Sequence, residues 1–167
     1  RLVDLGAGEG RITELFARES FHAIGIDFLI GPLRAAVKSE THKDASFIQA
    51  DAFELPFDSN TFSTAVDYGL LHHVRKTDWP RYRSFLTDLL VPGALYFVSV
   101  FHESDNHANR KNRKWVYHRG HYDRFFEEED LSNCLGDQYK QLESGLVDDG
   151  CHTFLHSLFR YRPDDDE

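Results

Sequence analysis

An apolar strand followed directly by a glycine-rich turn opens this chain, and it constrains the fold more than any other segment. The strand covers Leu2–Leu5 and the turn covers Gly6–Gly10. After the turn, Ile12, Leu15 and Phe16 recur at the spacing of one helix face. Glycine tolerates positive φ angles and lets a ligand approach the backbone closely. The segment therefore predicts a strand, a tight turn and a helix, which together form the first half of a βαβ unit.

Two acidic residues distinguish this turn from a dinucleotide site. Asp4 precedes the turn, Glu9 lies inside it, and the glycines follow the pattern G-x-G-x-G. A pyrophosphate site has the pattern G-x-G-x-x-G instead, and carboxylates beside it would repel the phosphates. S-adenosylmethionine carries an ammonium and a sulfonium group and no phosphate, so we expect it as the ligand. A tight turn without any ligand is the alternative interpretation.

Acidic residues also end the next three predicted strands. The second strand ends at Asp27, 23 residues after Asp4, and the third and fourth end at Asp51 and Asp67. A carboxylate at the position of Asp27 can accept hydrogen bonds from both hydroxyls of a ribose, although an acid can also simply end a strand. Ligands of parallel sheets bind at the carboxyl ends of the strands. These residues therefore mark a common binding edge.

The rest of the chain continues the alternation of strands and helices and closes with a hairpin. We expect helices over 12–19, 32–38, 78–90 and 127–135, a fifth strand over 94–101, and a hairpin that pairs 139–147 with 153–162. Asp148 to Gly150 supply the turn of that hairpin, so its two strands are expected to be antiparallel neighbours. The alternation predicts an α/β fold, with a doubly wound, mostly parallel sheet and helices on both faces.

The segment His102–Arg124 differs from the rest because it is polar, long and without clear periodicity. It is also locally basic in an acidic chain. Its basic residues are Arg110, Lys111, Arg113, Lys114, Arg119 and Arg124. We interpret it as a substrate lid and its charge as a hint of an anionic acceptor, while a solvated surface loop explains it equally well.

Composition limits the possible classes of protein. The chain has 167 residues, which favours a single domain, and a net charge of −9, which argues against general affinity for nucleic-acid backbones. Its two cysteines, Cys134 and Cys151, indicate reduced thiols rather than a disulfide framework. No apolar run of membrane-spanning length and no signal peptide are visible, so we expect a cytoplasmic location. Because the sequence begins inside a strand and contains no methionine, we expect that an N-terminal portion is missing.

Taken together, these segments resemble the class I S-adenosylmethionine-dependent methyltransferases over nearly the whole sequence. The resemblance depends on Val3–Gly10, Gly25–Asp27, Gln49–Ala52, Phe62–Val74 and Val91–Gly93. The run Asp67–His73 is similar to the small-molecule branch, which includes tellurite-resistance and thiopurine-type enzymes. The Asn/Asp-Pro-Pro-aromatic motif of the amino-methylating DNA enzymes is absent there.

The resemblance implies a Rossmann-like sheet of seven strands in the order 3-2-1-4-5-7-6, with strand seven antiparallel. It implies that Asp27 holds the ribose, that Asp51 accepts from the adenine amino group, and that Asp67 and Tyr68 border the transferred methyl group. In relatives an N-terminal helix helps to cover the cofactor. The implied cofactor-binding residues are Asp4, Gly6, Ala7, Gly8, Gly10, Asp27, Phe28, Asp51, Ala52, Phe53, Asp67 and Tyr68.

Methyl transfer needs a base only where the acceptor must lose a proton. The candidates are His72, His73, His102 and Tyr122, although each of these residue types is common in packing or surface roles. The histidines lack compact ligand spacing, so no metal site is expected. Two alternatives remain open. One is a non-catalytic module that binds S-adenosylmethionine, and the other is an NAD(P)-dependent oxidoreductase, which the acidic turn and Asp51 disfavour.

Overall fold

A seven-stranded sheet lies at the centre of the fold, within a computed structural model that describes residues 1–38, 42–105, 108, 114–118 and 120–163. Two further strands pair with each other outside this sheet. The strands are β1 (Leu2–Leu5), β2 (Ala23–Asp27), β3 (Ala45–Gln49), β4 (Phe62–Tyr68), β5 (Leu90–Phe101), β6 (Trp115–His118), β7 (His121–Arg124), β8 (Tyr139–Asp148) and β9 (Thr153–Tyr161). The helices are α1 (Arg11–Arg18), α2 (Ile30–Lys38), α3 (Trp79–Leu89) and α4 (Glu128–Leu135).

The strand order confirms the predicted topology. The large sheet has the order β3-β2-β1-β4-β5-β9-β8, in which β8 and β9 are the predicted strands six and seven. Strands β1 to β5 pair in parallel, and β9 lies antiparallel to both β5 and β8. Because β9 runs in the opposite direction, the turn before it reaches the edge of the sheet where β1, β2 and β4 end.

Alternate residues of the central strands are buried in two separate cores, one on each face. In β1, Leu2 packs in the core that contains Ala17 of α1, whereas Val3 and Leu5 pack in the larger core that contains Leu86 of α3. All four residues of β1 are buried. This explains why the strand has a continuous apolar pattern apart from Asp4, as expected for a parallel strand covered on both faces.

Several strand ends differ from the sequence-based expectation, because β3 ends at Gln49 rather than at Asp51 and β4 ends at Tyr68 rather than at Asp67. Strand β5 begins at Leu90 rather than Ala94, so it includes Pro92. The β4–β5 register shifts between Phe62 and Thr64. Such an irregularity tolerates a proline, which has no backbone N–H to donate. Two 3₁₀ turns, Leu71–His73 and Lys76–Asp78, connect β4 to α3.

The segment expected to be irregular, 102–124, contains the antiparallel pair of β6 and β7. Each of these strands has four residues, which is too short to produce a recognisable period in the sequence. Within the described residues, no helix combines the length and the apolar character needed to cross a membrane.

Candidate functional site

The glycine-rich loop is tied to β2 through its own backbone N–H groups. Gly6 and Ala7 both donate to the carbonyl oxygen of Ile26 at 2.8 Å. Gly8 donates to Oδ2 of Asp27 at 2.8 Å. An anion site of the phosphate-binding type needs such N–H groups to be available to the ligand. In this loop three of them are already occupied by protein acceptors.

Gly8 and Gly10 of this loop require glycine for different steric reasons. Gly8 and Gly10 have φ angles of 55° and 80°, which other residues adopt only with strain. A Cβ atom on Gly10 would lie 2.5 Å from Cζ of Phe47, so this position is packed from inside. A Cβ atom on Gly8 would meet nothing within 4 Å. Gly8 therefore leaves open space at the protein surface, where a ligand can approach the backbone.

A cavity of about 740 Å³ lies at the carboxyl ends of β1, β2 and β4. A second cavity of about 340 Å³ adjoins the same glycine-rich loop, and Glu9 is among its lining residues. The predicted residues that line the first cavity are Gly6, Gly8, Asp27, Phe28, Asp51, Ala52 and Phe53. Those that line the second are Asp4, Gly6, Ala7, Gly8 and Tyr68. The predicted cofactor residues thus gather at one edge, except Gly10 and Asp67, which line neither cavity.

Asp27 and Asp51 are both held by backbone donors within their loops. Asp27 accepts from Gly8 at one oxygen and from the N–H of Leu29 at the other, each at 2.8 Å. Asp51 accepts from the N–H of Phe53 at 2.9 Å and is exposed. Each carboxylate oxygen has a second lone pair, so both groups can still accept from ligand hydroxyl or amino groups.

The apolar walls of this cavity are unevenly covered. Phe28 is 70% exposed, which is unusual for a phenylalanine in a folded domain. Phe53 is half-buried, and the guanidinium carbon of Arg81 lies 4.8 Å from its ring centroid. A flat aromatic ligand placed between such rings would bury apolar surface that is otherwise in water.

Asp4 is a buried carboxylate on the α1 side of the sheet. It is 1% exposed, and Thr13 of α1 donates to its Oδ2 at 2.6 Å. Burial raises the pKa of Asp4 to about 6, against the lowering effect of the Thr13 hydrogen bond. Asp4 therefore both supports the loop and contributes negative charge to the cavity above about pH 6.

Asp67 is fully buried on the opposite face and organises the loop that follows β4. Its Oδ1 accepts from the N–H groups of Leu70 and Leu71 at 2.7 and 3.1 Å. Its Oδ2 accepts from the hydroxyl of Tyr82 at 2.6 Å, and that hydroxyl lies 2.6 Å from the hydroxyl of Tyr96. Burial raises the pKa of Asp67 to about 6. Its contacts place it beneath the site, where it can hold the loop in position.

A further cavity of about 670 Å³ adjoins the first one and is rich in imidazole groups. His73 and His121 line both cavities, so the two spaces share a wall. Within the described ranges, no group of three or more His, Cys, Asp or Glu side chains is placed to hold a metal ion. The residues that line this cavity are His72, His73, Phe101, Val116, His121, Asp123, Phe125 and His152.

The four candidate bases have different surroundings. His73 is the one whose ring nitrogen is paired with β7: its Nδ1 lies 3.0 Å from the carbonyl oxygen of Tyr122 and 3.0 Å from Oδ1 of Asp123. The ring of Tyr122 stacks on Trp115 at 6.0 Å between centroids. The Nδ1 atom of His102 lies 2.7 Å from the hydroxyl of Ser104. Neither Tyr122 nor His102 lines the three cavities at this edge.

His72 forms part of the cavity wall. Its ring stacks on Phe101 with a centroid distance of 4.0 Å and an interplanar angle of 17°. It is 4% exposed, and burial lowers its pKa well below the usual range, with His73 and His152 adding to the effect. Its Nδ1 has no hydrogen-bond partner in the described part of the chain. His72 is therefore neutral at physiological pH.

The basic character of the segment 102–124 lies mostly outside the described residues. Lys114 and Arg124 are described, and both form ion pairs with Asp130 at 3.0 Å. Lys114 also pairs with Glu127. The charge of these two residues is therefore balanced by α4. Arg110, Lys111, Arg113 and Arg119 lie outside the residues that the structure describes.

The sequence analysis missed three charged or polar residues around the imidazole cavity. Asp123 and His121 come from β7, and His152 precedes β9. A signal for His152 was present, because a hairpin antiparallel to the fifth strand places its turn at the carboxyl edge of the sheet. Strand β7 gave no such signal, because its four residues carry no period.

Comparison with known proteins assigns the chain to a family. Residues 2–93 match the family described as a methyltransferase domain. A demethylmenaquinone methyltransferase of Corynebacterium urealyticum is 39% identical over 71 residues, which are 42% of this chain and 29% of that protein. A 2-phytyl-1,4-naphtoquinone methyltransferase of Thermosynechococcus vestitus is 30% identical over 118 residues, which are 68% of this chain and 51% of that protein. The chain thus spans about half the length of these curated relatives, or less.

Solved structures share the fold over nearly the whole chain. A 1,6-didemethyltoxoflavin-N1-methyltransferase of Burkholderia thailandensis, solved with its namesake compound and S-adenosylhomocysteine bound, has a TM-score of 0.80 at 25% identity, over 97% of this chain and 71% of that one. A methyltransferase of Methanosarcina mazei has a TM-score of 0.83 at 19% identity, over 98% and 92%. Together with the match over residues 2–93, these findings show that the chain belongs to the class I S-adenosylmethionine-dependent methyltransferase family.

Proposed function

We propose that this chain transfers a methyl group from S-adenosylmethionine to a small-molecule acceptor. The observation that carries the proposal is a pair of adjoining cavities, of about 740 and 670 Å³, which share His73 and His121 as a common wall. The first is bordered by the glycine-rich loop and by two carboxylates. The second is lined by aromatic rings and imidazoles. Such an arrangement holds a donor and an acceptor side by side, as an in-line displacement requires.

The residues of the first cavity fit S-adenosylmethionine better than a dinucleotide. Asp27 and Asp51 can accept from ribose hydroxyls and from the adenine amino group, and Phe28 and Phe53 can pack against the adenine. In the adjoining cavity of about 340 Å³, which Arg11 also lines, Glu9 can offer negative charge to the ammonium and sulfonium groups. The occupied N–H groups of the loop argue against a pyrophosphate. S-adenosylmethionine supplies a methyl carbon that its sulfonium already activates.

The second cavity fits a small, largely apolar acceptor. Relatives are named for naphthoquinone and toxoflavin-type acceptors, which are flat ring compounds. We infer that the described part of the segment 102–124 is a lid over this cavity, since Val116, His121 and Asp123 belong to the cavity walls. We place this lid and the cofactor site in one domain. Of the candidate bases, His72 and His73 line this cavity, whereas Tyr122 and His102 do not.

Binding measurements test the cofactor assignment. Isothermal titration calorimetry should show binding of S-adenosylhomocysteine and no binding of NAD or NADP. The Asp51→Asn variant should raise the dissociation constant of S-adenosylhomocysteine about tenfold or more, since a hydrogen bond to a carboxylate contributes roughly 1.5–3 kcal/mol. Asp58→Asn is the matched control, because Asp58 is also exposed in the same connection but lines none of the described cavities. Binding of NAD instead would refute the assignment.

A methyl-transfer assay separates an enzyme from a binding module. Tritium from methyl-labelled S-adenosylmethionine should appear in naphthoquinol-type acceptors. If the protein binds S-adenosylhomocysteine but transfers no label to any acceptor of a broad panel, the module interpretation is correct.

The charge of the acceptor is a separate question. The sequence of the lid favours an anionic acceptor, whereas the described walls of the cavity contain no lysine or arginine. The double variant with Arg110→Glu and Lys111→Glu should raise the KM of an anionic acceptor. An unchanged KM favours a neutral one.

A further inference from the structure

We propose that His73 is the base that removes a proton from the acceptor, that Asp123 positions it, and that the His152–Asp105 pair binds a second oxygen of the same acceptor. The acceptor is then a flat aromatic compound with two oxygen substituents, of the hydroquinone type. The inference depends on the proposed function and specifies its acceptor site.

The contacts of His73 determine which of its nitrogens is basic. The carbonyl oxygen of Tyr122 can only accept a hydrogen bond, and it lies 3.0 Å from Nδ1. The carboxylate of Asp123 also accepts, at 3.0 Å. Nδ1 must therefore carry a proton, and in the neutral ring Nε2 keeps its lone pair. His73 lies in the wall shared by the two cavities, next to the space proposed for the donor.

Asp123 contacts His73 from a largely buried position. Its side chain is 13% exposed, so its attraction for an imidazolium is screened less than at the surface. The other titratable groups of the cavity are His72, His121 and His152. His72 is neutral, as described above, and His121 is exposed at the start of β7. Asp123 is thus the carboxylate that fixes the orientation of the His73 ring from β7.

A second carboxylate–imidazole pair faces the same cavity from the β8–β9 turn. Nδ1 of His152 lies 3.1 Å from Oδ2 of Asp105, which also accepts from the N–H of Thr153 at 2.8 Å. The side chain of Asp105 is fully buried. Burying a carboxylate costs free energy, and packing alone does not explain why this one is buried beside an imidazole. Asp105 fixes the orientation of the His152 ring, which lines the cavity.

The walls between the two pairs are aromatic. The ring of Phe101 stacks on His72 at 4.0 Å and lies 4.8 Å from the ring of His152. The ring of Phe125 lies 6.0 Å from the ring of Phe101. Flat apolar walls with one fixed imidazole at each of two places suit an aromatic ring that carries two oxygens.

The proton passes directly from the acceptor to His73. The O–H bond of the acceptor breaks, and its proton forms the new N–H bond at Nε2. The electron pair stays on the acceptor, where it makes the phenolate oxygen the nucleophile for the methyl group. Phenols have pKa values near 10, so deprotonation before transfer is needed at neutral pH.

The first experiment observes the proton transfer without turnover. 4-Nitrophenol, whose phenolate is yellow, is added to the protein saturated with S-adenosylhomocysteine near the midpoint of the dye's titration. We expect an increase of the phenolate band on binding to the unmodified protein, and its loss in His73→Gln. His22→Gln is the matched control, because His22 also pairs with an aspartate, Asp44 at 3.4 Å, at the opposite edge of the sheet.

The second experiment separates the two pairs by kinetics. With 1,4-dihydroxynaphthalene as acceptor, His73→Gln should lower kcat by a factor of about 10² or more, and Asp123→Asn by about tenfold with an unchanged KM. The pH profile of kcat should lose its lower limb in His73→Gln. His152→Gln and Asp105→Asn should raise KM for 1,4-dihydroxynaphthalene about tenfold and leave KM for 1-naphthol unchanged.

Each outcome bears on the proposal. A phenolate band or an unchanged kcat in His73→Gln refutes His73 as the base. Equal effects of His152→Gln on the two naphthalene compounds refute the second oxygen contact. A protein that binds S-adenosylhomocysteine but none of these phenols refutes the acceptor class, whereas a protein that does not bind S-adenosylhomocysteine refutes the proposed function instead.

Discussion

Alanine substitutions at Gly8 and Gly10 should separate cofactor binding from folding stability. Both residues have positive φ, at 55° and 80°. A Cβ atom in that region costs roughly 1–2 kcal/mol. The two positions differ in what the added methyl group meets: open space at Gly8, and Phe47 at 2.5 Å together with Ala36 at 3.0 Å at Gly10.

The steric term at Gly10 is large because Phe47 has little room to move. The same ring also covers Gly25, where a Cβ atom would lie 2.7 Å from Cδ1 of Phe47. Overpacking of this kind typically costs about 1–3 kcal/mol. With the backbone strain, Gly10→Ala should destabilise the protein by about 3 kcal/mol, which lowers Tm by roughly 6–12 °C for a chain of this size.

Gly8→Ala should have the opposite profile. Strain alone lowers Tm by about 2–8 °C. The new methyl group projects into the space proposed for the cofactor, so the Kd of S-adenosylhomocysteine should rise at least about tenfold. Gly10→Ala should retain its affinity at temperatures where it is folded. Scanning calorimetry and titration calorimetry measure the two quantities.

Gly145→Ala is the matched control for both variants. Gly145 lies in β8, has an ordinary φ and would meet nothing within 4 Å as alanine. We expect neither Tm nor Kd to fall. The reasoning is refuted if Gly8→Ala binds S-adenosylhomocysteine like the unmodified protein, or if Gly10→Ala keeps the original Tm.

Three further predictions concern the buried carboxylates beneath the site. Thr13→Val should lower the free energy of unfolding in urea by about 1–3 kcal/mol, because Asp4 loses its donor at 2.6 Å. Thr13→Ser keeps a hydroxyl group and should retain most of the stability. Tyr82→Phe removes hydrogen bonds to Asp67 and Tyr96 and should lower the free energy of unfolding by about 1–3 kcal/mol; an unchanged value contradicts the role of this network. Because the pKa values of Asp4 and Asp67 are raised to about 6, the folded state binds these protons more tightly than the unfolded state, and this contribution is lost as the pH rises through 6. Lowering the pH from 7 to 5 should therefore increase the free energy of unfolding by about 1 kcal/mol per group, and a decrease over this interval would show that the sign is wrong.

The cofactor edge was predictable because it depends on local patterns. A strand, a turn with glycines and a helix occur within 17 residues, and the strand that ends at Asp27 is a continuous apolar run. Parallel strands deliver their carboxyl ends to one edge whatever the details of packing. The position of Asp67 beneath the edge was not predictable, because it depends on Tyr82, which follows it by 15 residues in another element.

The alternation of elements and the closing hairpin determined a doubly wound, mostly parallel sheet with an antiparallel pair at its end, and the sequence placed the acidic glycine-rich loop at the end of β1. The order of the strands followed from the family resemblance, not from these patterns. Only the tertiary structure decided the acceptor side. It brings together His73 after β4, Asp123 in β7 and His152 before β9, which are up to 79 residues apart in the chain. The physical reason is that local propensity and periodicity act over a few residues, whereas the pairing of imidazoles with carboxylates depends on how distant elements pack.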